Sequence, residues 1–181
     1  MVNTGDILIS EPYLGDNNFE RTVILLCEVN NTGVLGYVLN KPTLVALDSV
    51  IESIVSNTEM LFIGGPVSQD SLHFIYKNEY NIEGSVKIMD NLYWGGNFDQ
   101  VIDLINNRQL NPEDFRFFLG YSGWDEGQLE EELKNNSWIV SSIDEDELFK
   151  TEPEELWRAS LKKMGGKYKM YSNYPVDPRL N

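Results

Sequence analysis

The stretch Val23–Leu39, VILLCEVNNTGVLGYVL, indicates the fold class most directly. Its two apolar runs, Val23–Cys27 and Val34–Leu39, are short and bounded by polar residues, as β-strands usually are. The polar loop Asn30–Gly33 between them has the length and the final glycine of a hairpin connection. The two runs are therefore predicted to be neighbouring antiparallel strands.

Segments on both sides of this hairpin have sequence patterns typical of strands or of helices. Further short apolar runs predict strands at Ile7–Ile9, Leu61–Ile63, Leu72–Tyr76, Phe115–Leu119 and Trp138–Ser141. Apolar spacing and end signals predict helices at Leu47–Ser56 (Ser49 and Glu52 as a capping box), after Asn97 (with Gln100), at Asp125–Lys134, and from Thr151 to a stop at Gly165.

The order of these elements favours an α+β fold. Strands come in runs before they alternate with helices, which predicts a mixed sheet with helices on its faces or ends. A length of 181 residues fits one domain, and no linker or repeat divides it. We therefore expect a single domain over residues 1–181, with Tyr171–Asn181 as a surface tail.

The composition is acidic, with 29 Asp and Glu against 14 Lys and Arg and a net charge of −15. Because DNA-binding proteins draw on concentrated basic residues, we expect no direct DNA binding. The single cysteine, Cys27, permits no intramolecular disulfide, which fits a reducing compartment. We find neither a signal peptide nor about 18 consecutive apolar residues, so we expect a cytoplasmic protein without a membrane span.

Candidate catalytic residues are few. GYSGW, at Gly120–Trp124, resembles a serine nucleophile turn, but Trp124 stands where the G-x-S-x-G pattern requires its second glycine. His73 is the only histidine that could serve Ser122 as a base. Cys27 alternates with apolar residues and is expected to be buried and inert.

The remaining patterns indicate architecture or solvated surface. The glycines of FIGGPV match no phosphate-binding motif and indicate a turn. The carboxylates of Glu130–Glu132 point in different directions around a helix, as surface residues do. We therefore predict no catalytic residue, no metal site and no cofactor.

Four segments together resemble the AlgH/YqgE family of bacterial proteins. They are GDILISEPYLGDNNFERTVILLCE, GVLGYVLNKP, IGGPV and GYSGWDEGQLEEELKNNSW, and the resemblance runs in order from Gly5 to about Trp157. It implies an α+β fold with a strongly bent, mixed and mostly antiparallel sheet, in a cytoplasmic bacterial protein.

The resemblance implies little about mechanism, because the family has no agreed biochemical activity. One member is named as a regulator of alginate synthesis, and the family's genes tend to lie beside one for a Holliday-junction resolvase-like nuclease. Val29 and Tyr76 stand where the family often has histidines. A mechanism that needs those histidines does not transfer to this chain.

Two functional hypotheses follow. The first is a non-enzymatic regulatory or binding protein that acts through a protein partner or a small ligand. The second is an enzyme, either a hydrolase using Ser122 or a thiol redox protein using Cys27.

For the first hypothesis, the family-like segments 18–21, 40–42, 64–66 and 121–128 are expected to border one groove. Arg21 is its expected anion contact, Trp124 its expected apolar wall, and the start of the Asp125 helix a source of partial positive charge. The candidate groove residues are Arg21, Asn40, Lys41, Gly64, Gly65, Tyr121, Ser122, Gly123, Trp124 and Gln128.

Overall fold

The predicted hairpin is present in the computed structural model, which describes residues 2–55, 59–78 and 80–175. Strands β2 (Val23–Asn30) and β3 (Gly33–Val38) pair antiparallel. Oδ1 of Asn30 accepts hydrogen bonds from the backbone N–H groups of Thr32 (2.8 Å) and Gly33 (3.1 Å). This side-chain acceptor closes the turn, as asparagine often does.

The described residues form one large sheet around this hairpin. Its other strands are β1 (Asp6–Ser10), β4 (Pro42–Ala46), β5 (Met60–Ile63), β6 (Val67–Lys77), β7 (Val86–Met89), β8 (Leu92–Trp94), β9 (Phe115–Asp125) and β10 (Trp138–Ser142). The main order is β10-β1-β2-β3-β9-β6-β8-β7, and β5 joins β9 and β4. Only the β5–β9 pairing is parallel within this described sheet, so the predicted mixed, mostly antiparallel α+β fold is confirmed.

Helices cover parts of the sheet. They are α1 (Phe98–Asn106), α2 (Gln128–Lys134), α3 (Glu145–Lys150), α4 (Pro153–Met164) and α5 (Gly166–Tyr171), with short 3₁₀ turns at Leu47–Ser49 and Pro112–Asp114. The predicted tail overlaps the end of α5 at Tyr171, and its residues 176–181 lie outside the described residues.

The main core shows that the sheet is bent. One buried cluster contains Ile139 of β10 and Ile88 of β7, which stand at opposite ends of the strand order. Trp157 and Leu161 of α4 fill the same cluster. Two other clusters lie under α1 and under α2, so each of these helices buries its apolar face against the sheet.

The predicted helix at Leu47–Ser56 is wrong over its described part, residues 47–55. Only a 3₁₀ turn forms, and the Ser49 hydroxyl donates to the carbonyl of Ala46 instead of capping a helix. The Leu47 N–H donates to Glu59 O (3.0 Å), next to the point where β5 pairs with β4. Strand pairing thus overrides the helical spacing of the apolar residues.

Two predicted boundaries also need correction. The predicted strand Phe115–Leu119 continues to Asp125, so GYSGW lies inside β9 and not in a turn. The helix predicted from Asp125 begins at Gln128, after Gly127 in a left-handed conformation (φ 78°). Glu130 and Glu131 lie in its first turn, so their negative charges offset the predicted positive end.

The helix cap predicted at Asn97 is confirmed, because its side chain accepts from the N–H groups of Asp99 and Gln100. We expect Asn97→Ala to lower the free energy of unfolding by about 1 kcal/mol, since it removes this acceptor. Urea denaturation monitored by circular dichroism measures the change. An unchanged midpoint would show that the cap contributes nothing to stability.

Candidate functional site

Three adjoining cavities form a groove along the end of β9, and we call it the acidic groove. The first, of about 460 Å³, lies between the β2–β3 hairpin and β9. The second, of about 370 Å³, shares Gly123, Trp124 and Gln128 with the first. The third, of about 250 Å³, shares Leu14 and Asp16 with the second. The three cavities therefore adjoin one another through shared wall residues.

The lining of this groove is negatively charged. Its acidic residues are Glu28 and Asp125 in the first cavity, Glu132 in the second, Asp16 in the second and third, and Glu20 in the third. None of the described residues that line the three cavities is a lysine or an arginine. The groove therefore attracts cationic groups and repels anions.

A single carboxylate organises the middle of the groove. Oε2 of Glu132 accepts hydrogen bonds from the indole N–H groups of Trp124 (2.8 Å) and Trp138 (2.6 Å). Oε1 of Glu132 accepts from Nε2 of Gln128 (2.9 Å), one helical turn earlier in α2. Both oxygens are occupied by donors, so this carboxylate fixes the groove wall instead of facing outward as the sequence suggested.

The aromatic rings around Glu132 pack edge to face. The ring centroids of Trp124 and Trp138 are 6.0 Å apart, and those of Phe19 and Trp138 are 5.4 Å apart. Trp124 and Trp138 are each only 5% exposed. These rings therefore give the groove a rigid apolar base.

Part of the predicted site lies at this groove. Tyr121, Gly123, Trp124 and Gln128 line it, and they come from β9 and the start of α2. The predicted segments 18–21 and 64–66 reach it through Phe19 and Pro66, which were not among the individual candidate residues.

Gly64 and Gly65 lie beneath the groove and serve packing. A Cβ atom on Gly65 would overlap backbone atoms of Tyr121 and Ser122. One on Gly64 would overlap the carbonyl oxygen of Gly120. Only glycine lets the chain pass this close to β9.

Ser122 is fully buried in the same layer. Its hydroxyl donates to the carbonyl of Gly64 at 3.1 Å. The hydroxyl thus holds the GGPV segment against β9. A hydrolase mechanism would need this proton and access to substrate, and the structure offers neither at Ser122.

Asn40 and Lys41 also serve the backbone, at a corner beside the third cavity. The Asn40 side chain accepts from Val23 N–H (2.9 Å) and donates to Arg21 O (2.8 Å). The Lys41 ammonium donates to the carbonyls of Asn17 (3.2 Å) and Asn18 (2.7 Å). Both side chains fasten the loop that carries one end of the groove.

Arg21 does not line any of the three cavities. Its guanidinium donates through Nη2 to the carbonyl of Tyr174 at 2.6 Å and lies 4.7 Å above the Trp157 ring. Burial, and next the charge of Arg158, lower the pKa of Arg21. The predicted anion contact is therefore absent from a groove whose charge has the opposite sign.

Cys27 is buried, at 2% exposure, in the main core. Burial raises the pKa of its thiol well above the ordinary value, so the reactive thiolate is disfavoured. Redox chemistry at Cys27 gains no support from this environment.

His73 lies behind the groove wall, with its ring edge to face against Tyr121 at 5.8 Å. Its Nε2 is hydrogen-bonded to Oγ of Ser71 at 2.8 Å, whereas the Ser122 hydroxyl donates to Gly64 O. Burial lowers the pKa of His73 from its ordinary value of 6.5.

We expect an NMR titration to give His73 a pKa below 6.5, because burial disfavours the imidazolium. Since the unfolded chain takes up this proton at a higher pH, stability should fall as the pH drops through 6.5 and level off below the folded-state pKa. His73 is the only histidine in the chain, so its signals are unambiguous. A measured pKa at or above 6.5 would contradict the burial.

The described residues contain no group of three or more His, Cys, Asp or Glu side chains placed to hold a metal ion. Among the same residues, none of the helices has the length and apolar character that crossing a membrane requires.

Comparison with known proteins gives the family. A family model described as AlgH-like matches residues 7–169. A UPF0301 protein of Cytophaga hutchinsonii is 51% identical over 182 residues, covering 100% of both chains. A UPF0301 protein of Parabacteroides distasonis is 42% identical, covering 98% of this chain and 90% of that protein. The chain belongs to the AlgH-like family.

Two solved structures support this fold. The solution structure of the AlgH protein from Pseudomonas aeruginosa is similar with a TM-score of 0.75 and 28% identity, covering 95% of this chain and 94% of that one. A crystal structure of a Corynebacterium diphtheriae protein gives 0.76 at 22% identity, covering 96% and 93%, and shows the fold alone.

Proposed function

We propose that this chain is a non-enzymatic binding protein whose acidic groove holds a basic segment of a protein partner. The observation that carries the proposal is the charge of the groove. Its lining includes five carboxylates and, among the described residues, no lysine or arginine. Complementary charge speeds the encounter of two proteins and selects among partners.

The shape of the groove suits an extended peptide. The three adjoining cavities can take successive side chains, and the exposed carboxylates Asp16, Glu20, Glu28 and Asp125 line them. The Glu132 carboxylate already accepts three hydrogen bonds from this chain. The peptide's lysine and arginine side chains would therefore meet the four exposed carboxylates, and their alkyl stems would lie on the aromatic base.

A nucleic-acid-binding protein is a suitable kind of partner, because such proteins carry basic surfaces. The Holliday-junction resolvase-like nuclease suggested by the family resemblance belongs to this class. A regulator that works in the cytoplasm by occupying such a partner would need neither catalysis nor DNA contact of its own. The fully buried Ser122 and the buried Cys27 are consistent with this non-enzymatic role.

The proposal is tested with a fluorescent ten-residue peptide of alternating Lys and Gly, titrated with the full chain in low salt. We expect binding that weakens as salt is added, because exposed charges are screened. The double variant Glu28→Gln/Asp125→Asn should bind about tenfold more weakly, since it removes two carboxylates from the first cavity. Fluorescence anisotropy measures both constants.

The matched control removes two charges elsewhere. Glu154→Gln/Glu155→Gln changes two exposed carboxylates in the first turn of α4, so both double variants have the same net charge. We expect the control to bind within about twofold of the unaltered chain. Equal weakening in both variants would show attraction by net charge without a groove. A free polyamine that binds as tightly as the peptide would instead indicate a small-ligand site.

A further inference from the structure

The last described residues of the chain lie against the loop that forms one end of the groove. We call residues 11–22 the groove loop. The Tyr174 ring stacks on the Tyr13 ring, with centroids 5.9 Å apart and an interplanar angle of 15°. Tyr13 lines the third cavity together with Asp16 and Glu20. The C-terminal segment therefore supports the groove from outside the main core.

Arg21 connects the same segment to the other end of the groove loop. Its Nη2 donates to the Tyr174 carbonyl at 2.6 Å, and its guanidinium carbon lies 4.7 Å above the centre of the Trp157 ring. The backbone of Arg21 is left-handed, with φ of 50°. This conformation costs energy in a residue with a side chain, and the contacts of Arg21 offset that cost.

We propose that Arg21 and Tyr174 are positioning residues of the acidic groove. Together they hold the groove loop in the shape that presents Asp16 and Glu20 along the third cavity. The consequence for binding rests on the function proposed above, whereas the order of the loop can be measured without any ligand.

The surroundings of Arg21 make the position of its guanidinium depend on the hydrogen bond to the Tyr174 carbonyl. Arg21 is partly buried, and the nearby Arg158 repels it while Glu20 attracts it. The Tyr174 carbonyl and the Trp157 ring offset part of that cost. Once either contact is lost, the guanidinium gains hydration by moving outward, and the groove loop loses this attachment while it keeps those to Asn40 and Lys41.

The test uses two full-chain variants, Arg21→Met and Tyr174→Ala. Met keeps much of the apolar stem of Arg21 without its donors, and Ala removes the ring that stacks on Tyr13. Hydrogen exchange followed by NMR reports the amides of Leu14 and Phe19, which donate to Glu11 O and Asp16 O within the loop. We expect their exchange to become at least about tenfold faster in both variants, without a change in the β2–β3 hairpin.

The same variants should bind the Lys-Gly peptide about threefold to tenfold more weakly, because the loop carboxylates are no longer held in place. Arg108→Met is the matched control for Arg21, because Arg108 is exposed and also left-handed, with φ of 55°. Met170→Ala is the control for Tyr174, since Met170 is an exposed residue of α5. Both controls should leave loop exchange and peptide affinity unchanged.

Unchanged exchange at Leu14 and Phe19 in both variants would overturn the proposal. Faster exchange with unaltered peptide affinity would overturn the positioning role while leaving the loop contact intact. If the unaltered chain binds no basic peptide, the proposed function fails, and the exchange rates still decide whether the segment holds the loop. If Arg21→Met does not fold, Tyr174→Ala tests the proposal alone, because Tyr174 lies outside the buried clusters.

Discussion

Gly65→Ala should lower the free energy of unfolding by about 3 kcal/mol or more, the largest loss that we expect from a single methyl group in this chain. The new Cβ would overlap the carbonyl carbon and oxygen of Tyr121 and the nitrogen of Ser122. These are backbone atoms of the central strand β9, so they cannot move aside without breaking its pairing with β3 or β6. Chemical denaturation monitored by tryptophan fluorescence measures the loss.

Gly15→Ala separates this steric overlap from backbone strain. Gly15 has φ of 77°, and no atom lies within 4 Å of the position that its Cβ would take. We expect a loss of only about 1 kcal/mol, from the left-handed conformation alone. Equal losses for the two variants would mean that the close approach of Gly65 to β9 is not what requires glycine.

Glu132→Ala should lower the free energy of unfolding by about 2–3 kcal/mol. The change removes the acceptor of two nearly buried indole N–H groups and of the Gln128 amide. Because Glu132 is only partly buried, entering water can replace some of these bonds and keeps the loss below that of a fully enclosed carboxylate. Denaturation midpoints measure stability, and the indole signals of Trp124 and Trp138 should shift in the NMR spectrum.

Glu131→Ala is the matched control, one residue earlier in α2 and exposed to solvent. We expect it to leave stability nearly unchanged and the indole signals of Trp124 and Trp138 in place. A similar loss in both variants would show that helix propensity or helix charge, and not the indole bonds, is responsible.

The parts of the fold that the sequence predicts well have strong local signals. The hairpin follows from two apolar runs around Asn30–Gly33, and the α1 cap follows from Asn97. The segment from Leu47 is different, because its apolar residues have helical spacing while its backbone serves the pairing of β4 with β5. That pairing depends on residues more than ten positions away, which a local pattern does not contain.

The residues of the candidate site were likewise only partly predictable from the sequence. GYSGW drew attention to Trp124, and the structure places Trp124 in the groove wall. Glu132 belongs to the acidic run Glu130–Glu132, and such a run predicts side chains that face solvent. Two signals could have distinguished it from Glu130 and Glu131. One is its i, i+4 spacing from Gln128, and the other is the presence of two tryptophans whose indole N–H groups require acceptors when buried.

The sign of the groove's charge could not be read from the sequence. Arg21 lies inside the family-like segment 18–21, yet its acceptor is the carbonyl of Tyr174, 153 positions later. Lys41 likewise turns to the carbonyls of Asn17 and Asn18. Both cations donate to backbone carbonyls and neither lines any of the three cavities, so the charged side chains that line these cavities are carboxylates.

The central claim, that a basic segment occupies the acidic groove, is tested most directly by the four indole N–H signals of the chain. Trp124 and Trp138 line the groove, whereas Trp94 does not and Trp157 is buried with its indole N–H donating to Ser10 O. On addition of the Lys-Gly peptide to ¹⁵N-labelled protein, we predict that the Trp124 and Trp138 signals shift and saturate together, while those of Trp94 and Trp157 stay in place. Saturable binding that leaves the Trp124 and Trp138 signals unmoved would contradict the account.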